Sequence, residues 1–559
     1  MRTEQGDELM TAAAALAAGH WQTAREQFEA AFELDQTAEA MLGLGTALWW
    51  LGETTAAVRW QERAYAEFRR RPDPAQAALT AVALCQIYAA SLGNLAASGG
   101  WLGRLARLVD EFDLEPVRGW LSLCRAAMAN GTFHLSDAES RARETVDAAR
   151  LADDIDLELC GLAEVGFALV QMGKTEEGSA LLDEAMAGAL GGEALRPETV
   201  VHVGCRTIAS CSRTADMTRA VQWIHMGDEF TRRYGGLHLH TMSRVQYGHV
   251  LFENGRWAEA EQELRAALRV GKSAERALYA EAVASLAELR LAQGQVGEAA
   301  GLLEGFEDHP AAADVLATVH LRRGQPLVAA EILRARLDGF AEPCLESARA
   351  AELLTEAEVE LGELEQATSR ARALVELGKR GDGCAVILAR AQRALGIVHA
   401  AGGEERMASE HLRRALAAFV GIDMPFEAAR TRRLLAVAVE KQEPEVAVER
   451  ARTALRVFEQ LGACAEADAA AALLRTLGVR VPRGRPSHDA GLTRREREVL
   501  ELLGECLSNQ EMAQRLFLSR KTVEHHVGSV LTKLGLDNRA QAAAYAIRNP
   551  RQDAAGDVR

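Results

Sequence analysis

Along the string SRKTVEHHVGSVLTKL, residues 519–534, two kinds of side chain separate by helical arithmetic. Val523, Val527, Val530, Leu531 and Leu534 recur at i, i+4, i+7, i+8 and i+11 and mark an inward apolar face. The opposite stripe holds Lys521, Glu524, His525, Gly528 and Thr532, flanked by Arg520 and His526. Polar tips with one bulk-free position at Gly528 suit the major groove of DNA, where cations meet phosphates and polar groups meet base edges. Glu524 has the wrong sign for that setting unless it accepts a hydrogen bond, for which cytosine N4 is the partner. Ser519 is a capping type, and the helix start it marks offers backbone N–H groups to a phosphate oxygen.

Other candidate chemistry is weaker. MGKT (Met172–Thr175) and VGKS (Val270–Ser273) resemble the end of a phosphate-binding loop. That loop needs a further Gly where this chain has Ala168 and Ala266, and no strand pattern precedes either segment. The adjacent His525 and His526 point about 100° apart on a helix and share a metal ion poorly. The nine cysteines are scattered without a CxxC pair and read as reduced core thiols. No catalytic residue, cofactor site or metal site is expected, and hence no enzyme.

The elements that must position the stripe are legible upstream. Thr493 and Glu496 form a capping box opening a helix that runs to about Gly504, with Val499, Leu500 and Leu503 inward. Ser508 and Glu511 form a second box opening a short helix with Met512 and Leu516 inward. A turn through Phe517 and Leu518 leads to the helix at Ser519. Beyond the break at Gly535, a fourth helix starts near Asn538 and carries Ala542, Tyr545 and Ala546. Two short helices, a tight turn and a longer third helix describe a helix-turn-helix. A basic linker with Pro482 and Pro486, residues 478–491, precedes this segment.

Residues 1–477 follow another rule. A Gly is followed by a small residue at +5, a large apolar residue at +9 and usually Ala at +12. Good copies are Gly19/Ala24/Phe28/Ala31, Gly173/Gly178/Leu182/Ala185, Gly255/Ala260/Leu264/Ala267 and Gly403/Ala408/Leu412/Ala415. Poorer ones start at Gly52, Gly294, Gly324, Gly362 and Gln442, with weak candidates near Gly93, Gly131 and Ala215. The pattern predicts helical hairpins in which Gly makes the turn and the large residue fills the seam with the next hairpin. About a dozen of them stack into a solenoid whose concave side is a natural partner surface. Trp49, Trp50, Trp60 and Trp257 sit at seam-like positions and read as packing rather than a ligand cage.

Composition agrees with an all-α chain: aromatics are 5% and prolines number 12 among 559 residues. No apolar run is long enough to span a bilayer, and the first residues carry no signal-peptide pattern, which places the chain in the cytoplasm. The net charge of −16 is unevenly spread. Residues 483–551 carry 12 Arg and Lys against 8 Asp and Glu, so the remainder holds −20. An acidic body with a basic C-terminal module points to a local contact with nucleic acid.

The segments LTRREREVL, LSNQEMAQRLFLS, KTVEHHV and KLG stand in the order and spacing of the LuxR-type (GerE-type) DNA-binding domain, which residues 492–549 resemble over their full length. The resemblance implies that Lys521, Glu524, His525 and Gly528 face bases, that Ser519, Thr522, His526 and Lys533 lie near phosphates, and that the fourth helix pairs two copies on a near-palindromic site. Cys506 stands where the family usually has Gly. The preceding array resembles tetratricopeptide repeats, although its period near 40 exceeds theirs. The whole order resembles the repeat-plus-LuxR part of large ATP-dependent bacterial regulators without their ATPase module. The function expected is a dimeric, activating, bacterial transcription regulator binding double-stranded promoter DNA, with a protein or peptide partner on its array and a tail at 550–559. The alternative is a helical scaffold whose terminal domain no longer binds DNA.

Overall fold

The computed structural model describes residues 2–481 and 494–548, apart from residues 72, 236, 272–275, 382, 506, 517, 535 and 537. Among these residues lie 29 α-helices and no strand, so the fold is all-α. Two compact units, Met1–Leu473 and Leu474–Arg559, make up the chain.

In the first unit, successive helices are joined by turns of a few residues and form hairpins, as in Ile155–Gln171 with Thr175–Gly191 or Ala385–Ala401 with Glu405–Gly421. The recurring glycine is the left-handed turn residue. Gly19, Gly52, Gly93, Gly173, Gly255, Gly294, Gly324, Gly362 and Gly403 all have φ between +61° and +91°, a region costly for a residue with a Cβ. Ala215 takes the same conformation without being glycine, at φ 56°. The weak copy near Gly131 is out of register by two: Gly131 ends a helix and Phe133 takes the left-handed position at φ 57°. MGKT is one of these turns, and Lys174 precedes the helix Thr175–Gly191. Within VGKS, Lys272 and Ser273 lie outside the described residues.

The +5, +9 and +12 residues of the four good copies are all buried. The large residue does not simply fill the seam with the next hairpin. Leu182, Leu264 and Leu412 each seat on a glycine of the preceding helix in their own hairpin. A Cβ on Gly166, Gly248 or Gly396 would meet that leucine at 2.6–2.9 Å. Phe28 instead seats on a glycine of the next hairpin, where a Cβ on Gly43 would run into its ring. The helices therefore approach closely because each leucine has a notch to enter.

Hairpins far apart in sequence also touch. The Trp21 indole stacks on Trp50 with centroids 4.4 Å apart, and its Nε1 donates to the Tyr234 carbonyl at 2.5 Å. Trp50 Nε1 donates to Glu198 at 2.8 Å. Phe133 packs on Phe340, and the Glu346 amide donates to Gln171 at 3.2 Å. Apart from the Trp21–Trp50 stack between adjacent hairpins, each contact joins segments about 150–210 residues apart, so successive turns of the superhelix lie against one another. Trp50 and Trp257 are buried, and Trp49 and Trp60 pack half-buried, which agrees with a packing role.

Several charged side chains are buried between the first helices of the hairpins. Arg393 is wholly buried and pairs with Glu352 at 2.7 Å and with Glu427. Arg390 bridges Glu352 at 2.9 Å and Glu253 at 3.4 Å. Arg430 joins Glu427 to Glu356, and Glu466 accepts from both Arg322 and Arg433. These residues come from the first helices of their hairpins, and their pairing forms a buried charged column between residues 253 and 466.

The column has a counterpart nearer the N-terminus. Glu164, wholly buried, accepts from Arg206 Nε at 2.8 Å and Asn130 Nδ2 at 2.5 Å, with His202 Nε2 at 2.9 Å. Burial disfavours its carboxylate, but Arg206, His202 and Asn130 outweigh that penalty and hold its pKa down to about 2. An unfolded glutamate titrates near ~4.3, so this pairing contributes stability above that pH and is lost as pH falls toward 2. Acid unfolding followed by circular dichroism is expected to set in below about pH 4.5, and Glu164→Gln to reduce its pH slope by roughly one proton. An unchanged slope in the variant would show that Glu164 does not carry this dependence.

Candidate nucleic-acid interface

Four helices build the second unit: Arg494–Gly504, Asn509–Leu516, Arg520–Leu534 and Arg539–Arg548. Each start has a local cause where the residues are described. The Ser508 hydroxyl accepts from the Glu511 amide at 3.3 Å, and Glu511 accepts from the Ser508 amide at 2.7 Å, a reciprocal capping box. The hydrogen bonds from Ser508 hold the Glu511 carboxyl below its ordinary pKa. The third helix opens at Ser519, whose hydroxyl accepts from the Thr522 amide at 3.1 Å and lies 2.7 Å from the Thr522 hydroxyl. Asn538 caps the fourth helix through the Gln541 amide at 3.0 Å. Thr493 of the first box, and with it Phe517, Gly535 and Cys506, lies outside the described residues, while Glu496 is buried.

One core fixes the orientation of the third helix. Val523, Val527, Val530 and Leu534 are buried against Val499, Leu500, Leu503, Met512 and Ala542, with Leu531 half-buried beside them. The face divided off by helical arithmetic is therefore the inward one. Ala542, Tyr545 and Ala546 of the fourth helix are spent on the same core.

The opposite face is open. Lys521, Glu524, His525 and Gly528 are exposed, and a Cβ on Gly528 would meet nothing within 4 Å. Thr522 and His526 are half-buried at the margin, and Ser519 is exposed. The Lys533 side chain lies outside the described residues. Thr532 turns back to its own helix, donating to the Gly528 carbonyl at 2.9 Å. The His525 and His526 rings stand 6.2 Å apart and tilted, so the stripe presents them separately. This arrangement places cations, one carboxylate and imidazoles on a helix face free of other protein atoms at its centre, which is the form a groove-reading surface takes.

Three supports were not read from sequence. Arg520 Nε donates to Glu524 Oε1 at 2.9 Å. Arg539 Nη1 donates to Asn509 Oδ1 at 2.7 Å, with Nη2 on the Leu507 carbonyl, tying the fourth helix to the start of the second. Gly504 lies against the fourth helix, where a Cβ would meet the Ala546 Cβ at 2.9 Å. The i,i+4 spacing of Arg520 and Glu524 was the available signal for the first, whereas the other two depend on how the chain folds back.

Residues 490–546 match the model of the family described as bacterial regulatory proteins, luxR family. The chain is similar to the DNA-binding transcriptional activator DevR/DosR of Mycobacterium tuberculosis, with 46% identity over 68 residues, 12% of this chain and 31% of that one. It is similar to the spore germination protein GerE of Bacillus subtilis, with 46% identity over 57 residues, 10% of this chain and 77% of that one. The chain spans less than a third of the length of the first curated relatives it matches. A crystal structure of the APC/C hetero-tetramer Cut9-Hcn1 aligns over 83% of this chain and 95% of its own, at 12% identity and a TM-score of 0.37.

The notch at Gly504 yields a stability test. Gly504→Ala is expected to destabilise the C-terminal unit by about 1–3 kcal/mol, because Ala546 must shift to admit the methyl group. Thermal unfolding of this unit, followed by a probe placed within it, checks the loss; an unchanged midpoint would mean that the fourth helix yields at no cost.

Proposed function

The chain belongs to the LuxR family of bacterial regulatory proteins through its C-terminal domain, and from that premise we propose that it regulates transcription by binding promoter DNA sequence-specifically. The observation carrying this reading is the open stripe of Lys521, Glu524, His525 and Gly528 on a helix whose other face is locked into a core. In the proposed complex these four face base edges, and Ser519, Thr522, His526 and Lys533 lie along phosphates. Ser519 takes its place through the helix start that it caps, since its hydroxyl already accepts from Thr522.

The proposed organisation is an array over 1–477, a basic linker over 478–491, the DNA-binding domain over 492–549 and a tail beyond. We assign the array the role of receiving a protein or peptide signal and controlling the domain, with two copies of the chain acting together as a cytoplasmic activator.

The test is genome-wide DNA occupancy of the full chain beside Lys521→Ala. Discrete sites sharing a short inverted repeat are expected, with about 1–3 kcal/mol of affinity and the preference at one base position lost in the variant. The same discrete sites occupied equally by both proteins would remove Lys521 from DNA recognition, and occupancy by the parent no better than background would favour the scaffold reading.

A further inference from the structure

We infer that Arg520 is a positioning residue for base selection: by holding Glu524, it makes that carboxylate a reader of cytosine on the DNA face. This rests on the DNA-binding reading above and deepens it. Glu524 is the sole acidic residue of the helix Arg520–Leu534. A carboxylate carried toward a duplex meets the repulsion of two phosphate backbones, so it needs a compensating charge that travels with it. Arg520 supplies one from the preceding turn, its Nε donating to Glu524 Oε1 at 2.9 Å.

The pair has little other use. Both side chains are well exposed, at 67% and 46%, and an exposed i,i+4 pair contributes only a few tenths of a kcal/mol to a helix. Its polarity is also unfavourable for the helix. Arg520 and Lys521 open it at the positive end of its dipole, where acidic residues are preferred and none is present in the first turn. Two cations at that end weaken the helix and suit an anionic partner.

The geometry leaves the carboxylate able to read. Arg520 engages Oε1, and among the described residues Oε2 takes no hydrogen bond. An ionised carboxylate is an acceptor only, so it selects a base edge that donates. Cytosine offers its N4 amino group in the major groove, whereas guanine offers O6 and N7 acceptors, and adenine places an acceptor beside its amino group. Gly528, one turn further along the same face, leaves room for the close approach this requires.

The test is selection of bound sequences from randomised duplexes by the full chain, its Arg520→Ala, Arg520→Lys and Glu524→Gln variants, and the double variant Arg520→Ala/Glu524→Gln. The parent is expected to prefer cytosine about tenfold at one position of each half-site. Arg520→Ala should reduce that preference at least threefold while leaving the ranking at other positions intact, and Arg520→Lys should restore part of it. Glu524→Gln should abolish it, with no further loss of preference in the double variant. A uniform fall in affinity across all sequences in Arg520→Ala, with the cytosine preference retained, would overturn the inference and make Arg520 a phosphate contact only. A parent that selects cytosine at no position would also overturn it, while leaving DNA binding in place. A parent that selects no sequence at all would overturn the DNA-binding reading, and this inference with it.

Discussion

A guanidinium with no exposed surface must be met by carboxylates, and the repeat array is organised around that requirement at Arg393. Removing such a charge from water costs several kcal/mol, and only close, well-directed partners offset it. Glu352 and Glu427 do so from the first helices of the neighbouring hairpins on either side. Glu352 also meets Arg390, and Arg390 reaches Glu253, 137 residues away in sequence. A shift of any one hairpin would leave a buried charge unpaired, so the column penalises incorrect stacking more than it rewards correct stacking. Apolar seams alone tolerate sliding far better.

That register is set on a framework of simple packing. Left-handed glycines turn the chain, and leucines enter glycine notches within their own hairpins, which brings helices close enough for inward side chains to meet. Contacts such as Trp21 Nε1 on the Tyr234 carbonyl and Phe133 on Phe340 join one turn of the superhelix to the next. The array is therefore held by three kinds of contact: notches within hairpins, buried charges between hairpins, and aromatic contacts between turns.

The C-terminal unit uses a different economy. Its small core orients one helix and contributes nothing to that helix's outer face, which stays polar and open around Gly528. The capping interactions at Ser508, Ser519 and Asn538 use short-range chemistry to fix helix starts, so the four-helix arrangement needs few long-range polar contacts. Arg539 is one of them, reaching back to Asn509 and Leu507. The Arg520–Glu524 pair stands apart, because it stabilises little in the free protein.

The sequence by itself determined what depends on residues near one another along the chain. The inward face Val523/Val527/Val530/Leu534, the capping box at Ser508 and Glu511, and most turn glycines follow from helical periodicity and backbone sterics, and all were legible. The same local rules separated the stripe at Lys521, Glu524, His525 and Gly528 from the core. Only the tertiary structure decided which glycine receives which leucine, that Phe133 rather than Gly131 makes a turn, and that buried arginines and glutamates meet between hairpins. Arg390 and Glu253 belong to different helices and share no sequence period, so no local pattern relates them. Their pairing depends on the accumulated rotation of several hairpins, a quantity to which each interface adds a small angle and which no single segment encodes.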